Sequence, residues 1–328
     1  MDVTNRNYII ATDYMRADGE TDVSQIIQNI IDENPNRTIF FPDGVYLLGQ
    51  PILTPAHPKR SVDLQLSNFA CFKAADDWSS YEAMVRLGAK DSANDICTAG
   101  SNYGISGGII DGSGVAKALS VDGGRETYVR NLNIKNTVLG LYIKRGVNSG
   151  SSDADISSVN IVGNGTPESI GVVIEGFDNT LTNMRIANVF IGVDIRSAGN
   201  VLRNIHPLFY VSGGKYAERY EDSVGFIVRH HTNWLDYCYS DQFSVGFDTK
   251  GGGIYKNCFC WWYSDKERVH LAMRSREPFF GSIDTLTIGG AHHADYPNRF
   301  MEEDNVSELT NIVNVTILSD SGKPVRVK

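Results

Sequence analysis

Asp194, Asp248 and Glu175, with the cations Arg196, Arg229 and Lys250, recur at two fixed places in a repeated five-residue pattern. The pattern is a small residue, an apolar one, a variable one, a second apolar one and a charge. It reads Ala118-Leu119-Ser120-Val121-Asp122, Gly140-Leu141-Tyr142-Ile143-Lys144, Gly171-Val172-Val173-Ile174-Glu175 and Gly192-Val193-Asp194-Ile195-Arg196. It continues as Gly225-Phe226-Ile227-Val228-Arg229 and Gly246-Phe247-Asp248-Thr249-Lys250, with a weaker copy at Arg268-Val269-His270-Leu271-Ala272.

A strand turns alternate residues to opposite faces. The second and fourth positions therefore point to a core, and the third and fifth point outward. Stacked in register, the outward columns read Ser120, Tyr142, Val173, Asp194, Ile227, Asp248, His270 and Asp122, Lys144, Glu175, Arg196, Arg229, Lys250, Ala272. Neighbouring strands lie ~4.8 Å apart, so Asp194 and Asp248 would stand ~9–10 Å apart. An acid and a base held about 6.5–9.5 Å apart leave room for a water in inverting glycoside hydrolysis. Guanidinium and ammonium groups beside them suit the carboxylates of an acidic sugar. Glu175 is the alternative partner if the register slips. On an ordinary exposed strand the same charges would only solvate the surface. Two insertions, at 162–170 and 207–222, enter just before this strand and are expected to wall the face. The second carries Lys215, Tyr216, Glu218, Arg219, Tyr220, Glu221 and Asp222. Of Trp261, Trp262 and Tyr263, one tryptophan is expected to offer a plane to a sugar, and Trp262 is taken as that residue. Tyr142, His270 and Trp262 thus complete the expected binding set. His292-His293 with Asp295 does not make a metal site, because adjacent strand residues point oppositely.

The elements that would position these groups follow from the repeat. Starts are separated by 22, 31, 21, 33, 21 and 22 residues. A second pattern, polar-apolar-variable-apolar, precedes the first in most turns: Asn131-Leu132-Asn133-Ile134, Ser158-Val159-Asn160-Ile161, Asn183-Met184-Arg185-Ile186, Asn257-Cys258-Phe259-Cys260, Thr285-Leu286-Thr287-Ile288 and Asn314-Val315-Thr316-Ile317. Two short strands per ~21-residue step, with Gly/Asn corners, describe one coil of a solenoid. The expected fold is all-β: a single-stranded right-handed parallel β-helix with an N-terminal amphipathic capping helix.

In the cap, Asp22 to Asn34 places Val23, Ile26, Ile27, Ile30 and Ile31 on one helical stripe, ended by Pro35. Strands are expected at 38–41 and 45–48 around Pro42-Asp43-Gly44. Residues 1–50 form this cap, continuous with a β-helix over 51–328 as one domain. Residues 291–307 break the pattern as a loop before a strand at 311–318.

Composition narrows the partners. Net charge is −9 and the pI about 5.3, which argues against nucleic acid or an anionic membrane as the main ligand. No apolar run approaches the ~18 residues of a membrane span, and residues 1–20 lack a signal peptide's basic start and apolar core. The expectation is a soluble protein, secreted or periplasmic if a leader was trimmed and cytoplasmic otherwise. The five cysteines (Cys71, Cys97, Cys238, Cys258, Cys260) are irregularly spaced. Cys258 and Cys260 share a strand face and read as core thiols, and no structural metal is expected.

Ala17-Asp18-Gly19-Glu20-Thr21-Asp22 and the helix after it, Ile39-Phe40-Phe41-Pro42-Asp43-Gly44-Val45-Tyr46, and Gly108-Ile109-Ile110-Asp111-Gly112-Ser113-Gly114 resemble the pectate-lyase-like β-helix superfamily. The likeness is greatest to polygalacturonase-like glycoside hydrolases. It implies the architecture over about residues 17–290. That family's Asn-Thr-Asp, Asp-Asp, Gly-His-Gly and Arg-Ile-Lys motifs are absent, so no catalytic residue is carried over. The resulting expectation is a carbohydrate-active enzyme on a poly- or oligosaccharide, a hydrolase using Asp194, Asp248 or Glu175, with Arg196, Arg229, Lys250, Tyr142, His270 and Trp262 binding substrate. A polysaccharide lyase (with Ca2+) or glycan transferase is the alternative within enzymes. A non-catalytic glycan-binding or tail-type adhesin is the alternative outside them. The protein would be a monomer or homotrimer and, if a hydrolase, would need no cofactor.

Overall fold

The computed structural model describes residues 8–57, 60–90, 103–145, 151–210, 216–250, 252–262, 270–275, 281–290, 298–299, 312–318 and 324–327. It comprises two units, Met1–Asn164 and Gly165–Lys328. Each unit is built of coils, and each complete coil has three faces.

In the first unit one coil is Arg37–Phe41, Gly44–Leu48 and Ile52–Pro55. The next, Val62–Leu66, Ala70–Ala74 and Ala83–Lys90, runs parallel beside it. Apolar side chains stack in register along each face. One column is Ile39, Leu64, Ile105, Val129 and Ile156. A second is Tyr46, Phe72, Ile110, Ile134 and Ile161, and a third Ile52, Val85, Leu119 and Leu141. All these residues are buried. Removing such columns from water is the main term favouring the coil.

The second unit repeats the plan. Val172, Val193, Phe226, Phe247 and Met273 form one buried column, and Leu181, Leu202, Leu235, Tyr255 and Ile283 another. The small residue opening each five-residue pattern has a steric cause. A Cβ at Gly225 would collide with Ser240 Oγ, and one at Gly246 with Cys260 Sγ, both across the core.

Three faces, rather than the expected two strands, result from a very tight corner. Asn131, Ser158, Asn183, Asn204, Tyr237, Asn257 and Thr285 all hold φ between 50° and 69°. One left-handed residue turns the chain from one face to the next, and asparagine tolerates that conformation best among residues with a side chain. The polar residue that opens the second sequence pattern is this corner, and the short strand before it is the third face. A further correction concerns the last copy of the first pattern. Phe247 pairs with Met273 and Asp248 with Arg274, so the coil opens at Ala272 and not at Arg268.

The helix runs Ser24–Glu33 and buries Val23, Ile27, Ile30 and Ile31. It closes an open edge. Gln28 accepts from the Leu53 amide at 2.8 Å and donates to the Leu53 carbonyl at 3.1 Å, giving the edge strand Ile52–Pro55 the partners a further strand would supply. Asp22 accepts from the Ser24 amide at 2.9 Å and the Gly49 amide at 3.0 Å, tying the first residue of the helix to the chain just after the strand Gly44–Leu48. Partial burial works against the charged Asp22 carboxyl, but the Ser24 hydroxyl and amide and the Gly49 amide outweigh it and hold its pKa below the ordinary value. A lowered folded pKa contributes stability that is complete above the unfolded value and is lost as pH falls through the folded one. Amide protection factors in residues 24–33, taken against the intrinsic rate at each pH, should therefore fall below about pH 4, and Asp22→Asn should remove that acid dependence. An Asp22→Asn helix as acid-sensitive as the wild type would show that another group sets it.

Candidate functional site

Parallel pairing in the second unit places Val173, Asp194, Ile227, Asp248 and Arg274 in one outward column. Asp194 and Asp248 are each only 2% exposed. Burying a carboxylate is costly unless it is paired and hydrogen-bonded, and both carry guanidinium partners. Asp194 Oδ1 accepts Arg229 Nε at 2.8 Å, and Oδ2 accepts Arg229 Nη2 and Arg196 Nε, each at 2.9 Å. Arg196 Nη1 also donates to Glu175 at 2.9 Å. Desolvation acts against the charged Arg196 guanidinium, but Asp194 and Glu175 outweigh it and raise its pKa. Arg196 and Arg229 remain 38% and 35% exposed. A row of ordered cations is thus fixed to the face from beneath.

Asp248 is held differently. Its Oδ2 accepts Arg274 Nε at 3.1 Å and Nη2 at 2.5 Å. Its Oδ1 is buried and accepts no hydrogen bond among the described residues. An orphaned acceptor of this kind is rare in folded proteins. Lys250 is half-buried, two residues on. Sequence reasoning missed Arg274. The four-residue error in the last copy put His270 in its place, although the apolar Met273 followed by a cation fits the pattern better.

Two expected binding residues are corrected. His270 is 4% exposed and Trp262 1% exposed, so neither can meet a sugar. His270 stacks on Trp262 at 5.0 Å, and its Nδ1 lies 3.0 Å from the hydroxyl of the buried Tyr220. Phe209 packs against Phe190, Tyr220 and Phe243 at 5.2–5.6 Å. These rings pin the helical turn Ala217–Asp222 of the second insertion to the coil, so the two residues serve as its anchor. Trp262 also shares face parity with Cys258 and Cys260, which are core thiols as expected and whose pKa burial pushes up. Lys215, Tyr263, His292, His293, Asp295 and Cys97 lie outside the described residues, and within 291–307 only Asn298–Arg299 is described, as a strand paired with His270–Leu271 where a loop was expected.

In the first unit Ser120 and Tyr142 share the outward column with Arg86. Tyr142 is half-buried beneath the Lys144 ammonium, 5.6 Å from the ring centre. Asp122 accepts from Arg86, Lys144 and the Ser120 hydroxyl, and Glu82 accepts from Lys144 at 2.5 Å. This cluster neutralises itself, and Arg86 and Lys144 are only about half as exposed as Arg196 and Arg229.

Solved structures with this architecture decide the fold. One is ORF18 of Geobacillus virus E2 (TM-score 0.64, 14% identity, covering 96% of this chain and 61% of that one). Another is endo-xylogalacturonan hydrolase from Aspergillus tubingensis (0.61, 14%, 93% and 92%). A third is alginate lyase from Paenibacillus sp. str. FPU-7 (0.59, 12%, 90% and 96%). The fold is a right-handed parallel β-helix. The β-helix described here spans about three-fifths of the viral chain's length. No family model and no curated protein matches the sequence. Among the described residues no helix is long and apolar enough to cross a membrane.

The outward position of Asp194 does not make it replaceable, because the carboxylate is buried beneath the cations it holds. Asp194→Asn removes the charge that organises two guanidinium groups of this β-helix. It should cost about 2 kcal/mol, read as a lower denaturant midpoint at an unchanged slope. Wild-type stability in this variant would mean that the arginines are held by other contacts.

Proposed function

We propose that this protein recognises carbohydrate and that its guanidinium row takes an acidic saccharide. The reading is carried by Asp194, whose fork fixes Arg196 and Arg229 while leaving about a third of each side chain in water. Guanidinium groups already ordered lose less entropy when they pair with a ligand carboxylate. Support also comes from the alginate and xylogalacturonan in two neighbours' names, since both polymers contain uronic acids.

A second reading, hydrolysis of the bound saccharide by Asp194 and Asp248, draws on the orphaned Oδ1 of Asp248 and requires the chain covering both carboxylates, each 2% exposed, to move aside. The free lone pairs of that Oδ1 suit a general base. Two strand steps put the carboxylates ~9.6 Å apart, at the wide end of the inverting range. Asp194 would then be the acid, yet both of its oxygens are already taken up by the Arg196 and Arg229 guanidinium groups. For that reason binding is placed first. Glu175 orders Arg196 in both readings.

Titration of a uronate oligosaccharide should give saturable binding. Arg229→Ala should weaken it about tenfold or more, and by a larger factor at low salt than at high. Binding unchanged in Arg229→Ala would remove the row from the site. Reducing ends released by the wild type and lost in Asp248→Asn would establish the hydrolase. An unsaturated product that requires Ca2+ would point instead to a lyase. Saturable binding without any product leaves the binding function alone.

A further inference from the structure

A second surface lies on a different face of the second unit, outside strands Val201–Leu208, Trp234–Asp236, Gly253–Trp262 and Gly281–Gly290. Parallel pairing sets Thr180, Val201, Trp234, Ile254 and Ser282 in one outward column, and Arg203, Asp236, Lys256 and Asp284 in the next. Leu235, between the two columns, is in the core. Trp234 is 43% exposed between the half-buried Val201 and Ile254. Among the described residues its ring stacks on no other, and its indole N–H has no hydrogen-bond partner. Three residues on, Tyr237 is 62% exposed, and neither its ring nor its hydroxyl has a partner among the described residues.

Tyr237 stands there at a cost to the coil. It holds the left-handed corner, φ 58°, that Asn183, Asn204 and Asn257 hold in the neighbouring coils. A bulky side chain is disfavoured in that conformation, whereas asparagine tolerates it. Asn204 also donates to Asn183 at 2.8 Å, and a tyrosine cannot extend that ladder. Trp234 is positioned by the residue before it. Asn233 is fully buried, donates to the Ser197 and His230 carbonyls at 2.8 and 3.0 Å, and accepts from the Asn200 amide at 3.0 Å. The Trp234 amide then donates to the Asn200 carbonyl at 2.9 Å, so the backbone that carries the ring is fixed. The polar groups beside the rings are open to water. Arg203 Nε lies 3.5 Å from Asp236 Oδ2, with 67% and 32% of the two side chains exposed, and Lys256 and Asp284 are exposed as well.

We propose that Trp234 and Tyr237 bind a neutral saccharide. A pyranose has a face of C–H groups, which stacks on an aromatic plane, and a rim of hydroxyls, which needs donors and acceptors within reach of that plane. Trp234 supplies an open plane. Asp236 lies about 6.6 Å further along the strand, and with Arg203 it supplies the acceptor and donors. The two cations of this column are matched by its two anions, which favours neither a uronate nor a cationic ligand. Val201, Trp234 and Ile254 make too small an apolar strip for the ~800 Å² that a stable protein interface takes from each side. A tyrosine kept in a corner that suits asparagine is explained by contact with a ligand, since strain of this kind persists where function uses it. The argument does not rest on the function proposed for the arginine row.

The test is calorimetric titration of cello-, xylo-, manno- and galacto-oligosaccharides into the full chain, with a uronate oligosaccharide as the contrast. At least one neutral saccharide should bind saturably. Trp234→Ala should weaken that binding roughly tenfold or more, Trp234→Phe should retain most of it, and uronate binding should be the same in Trp234→Ala as in the wild type. Tyr237→Asn should weaken neutral binding while raising the denaturant midpoint, because it restores the corner residue of the neighbouring coils. Absence of binding by every neutral saccharide overturns the proposal, as does neutral binding that survives Trp234→Ala or uronate binding that Trp234→Ala weakens. A Tyr237→Asn protein that binds as tightly as the wild type, or is less stable, overturns the part assigned to Tyr237. If Trp234→Ala lowers the melting temperature, acrylamide quenching of wild-type fluorescence decides instead, since Trp234 is the most exposed of the four tryptophans. Quenching reduced by saturating neutral saccharide supports the site, and quenching unchanged overturns it. Concentration-dependent self-association abolished by Trp234→Ala, with no saccharide bound, would overturn it in favour of contact between copies.

Discussion

The constraint on which this structure depends is register between parallel strands of successive coils. A side-chain period of two residues means that a slip of one would exchange the core for the surface along a whole face. Ile39, Leu64, Ile105, Val129 and Ile156 share one buried column because each coil returns to the same phase. The corners make that return reproducible, since one left-handed residue turns the chain without consuming a variable loop. Gln28 meets the same requirement at an open edge by pairing with the backbone of Leu53.

Fixed register also turns single residues into columns, and so decides which charges meet. Asp122 in the first unit, half-buried, and Asp194 in the second, buried, are both carboxylates with two cationic partners. What separates them is closure. Around Asp122, Glu82 and Ser120 complete a network whose cations are mostly covered. Around Asp194 the carboxylate is hidden and the cations are not. A buried ion pair is weak evidence for stability. A hidden anion beneath exposed, ordered guanidinium groups is the feature on which the proposed binding of an acidic saccharide rests.

The repeat was legible in the sequence because the residues that make it inward-facing cannot vary freely: Gly225 and Gly246 face Ser240 and Cys260 across the core. The third face was not legible because its corner is one residue long, so the strands on either side read as one. The outward set was readable as far as Asp248 and failed beyond it. Val269-His270-Leu271 alternates as well as any strand, and local alternation cannot report that a coil is longer than its neighbours. Trp262 was a different kind of error. The parity that buries Cys258 and Cys260 also buries Trp262 and turns Phe259 and Trp261 outward, so the signal was present and not applied. The Tyr220–His270 contact joins residues far apart in the chain, and no local pattern announces it.

The most direct measurement of the central claim is a crystal structure of the protein with a uronate oligosaccharide. The account predicts a sugar carboxylate within about 3 Å of the Arg196 or Arg229 guanidinium, with the Asp194 fork intact beneath it. A saccharide bound elsewhere, with water alone over the two arginines, would contradict it.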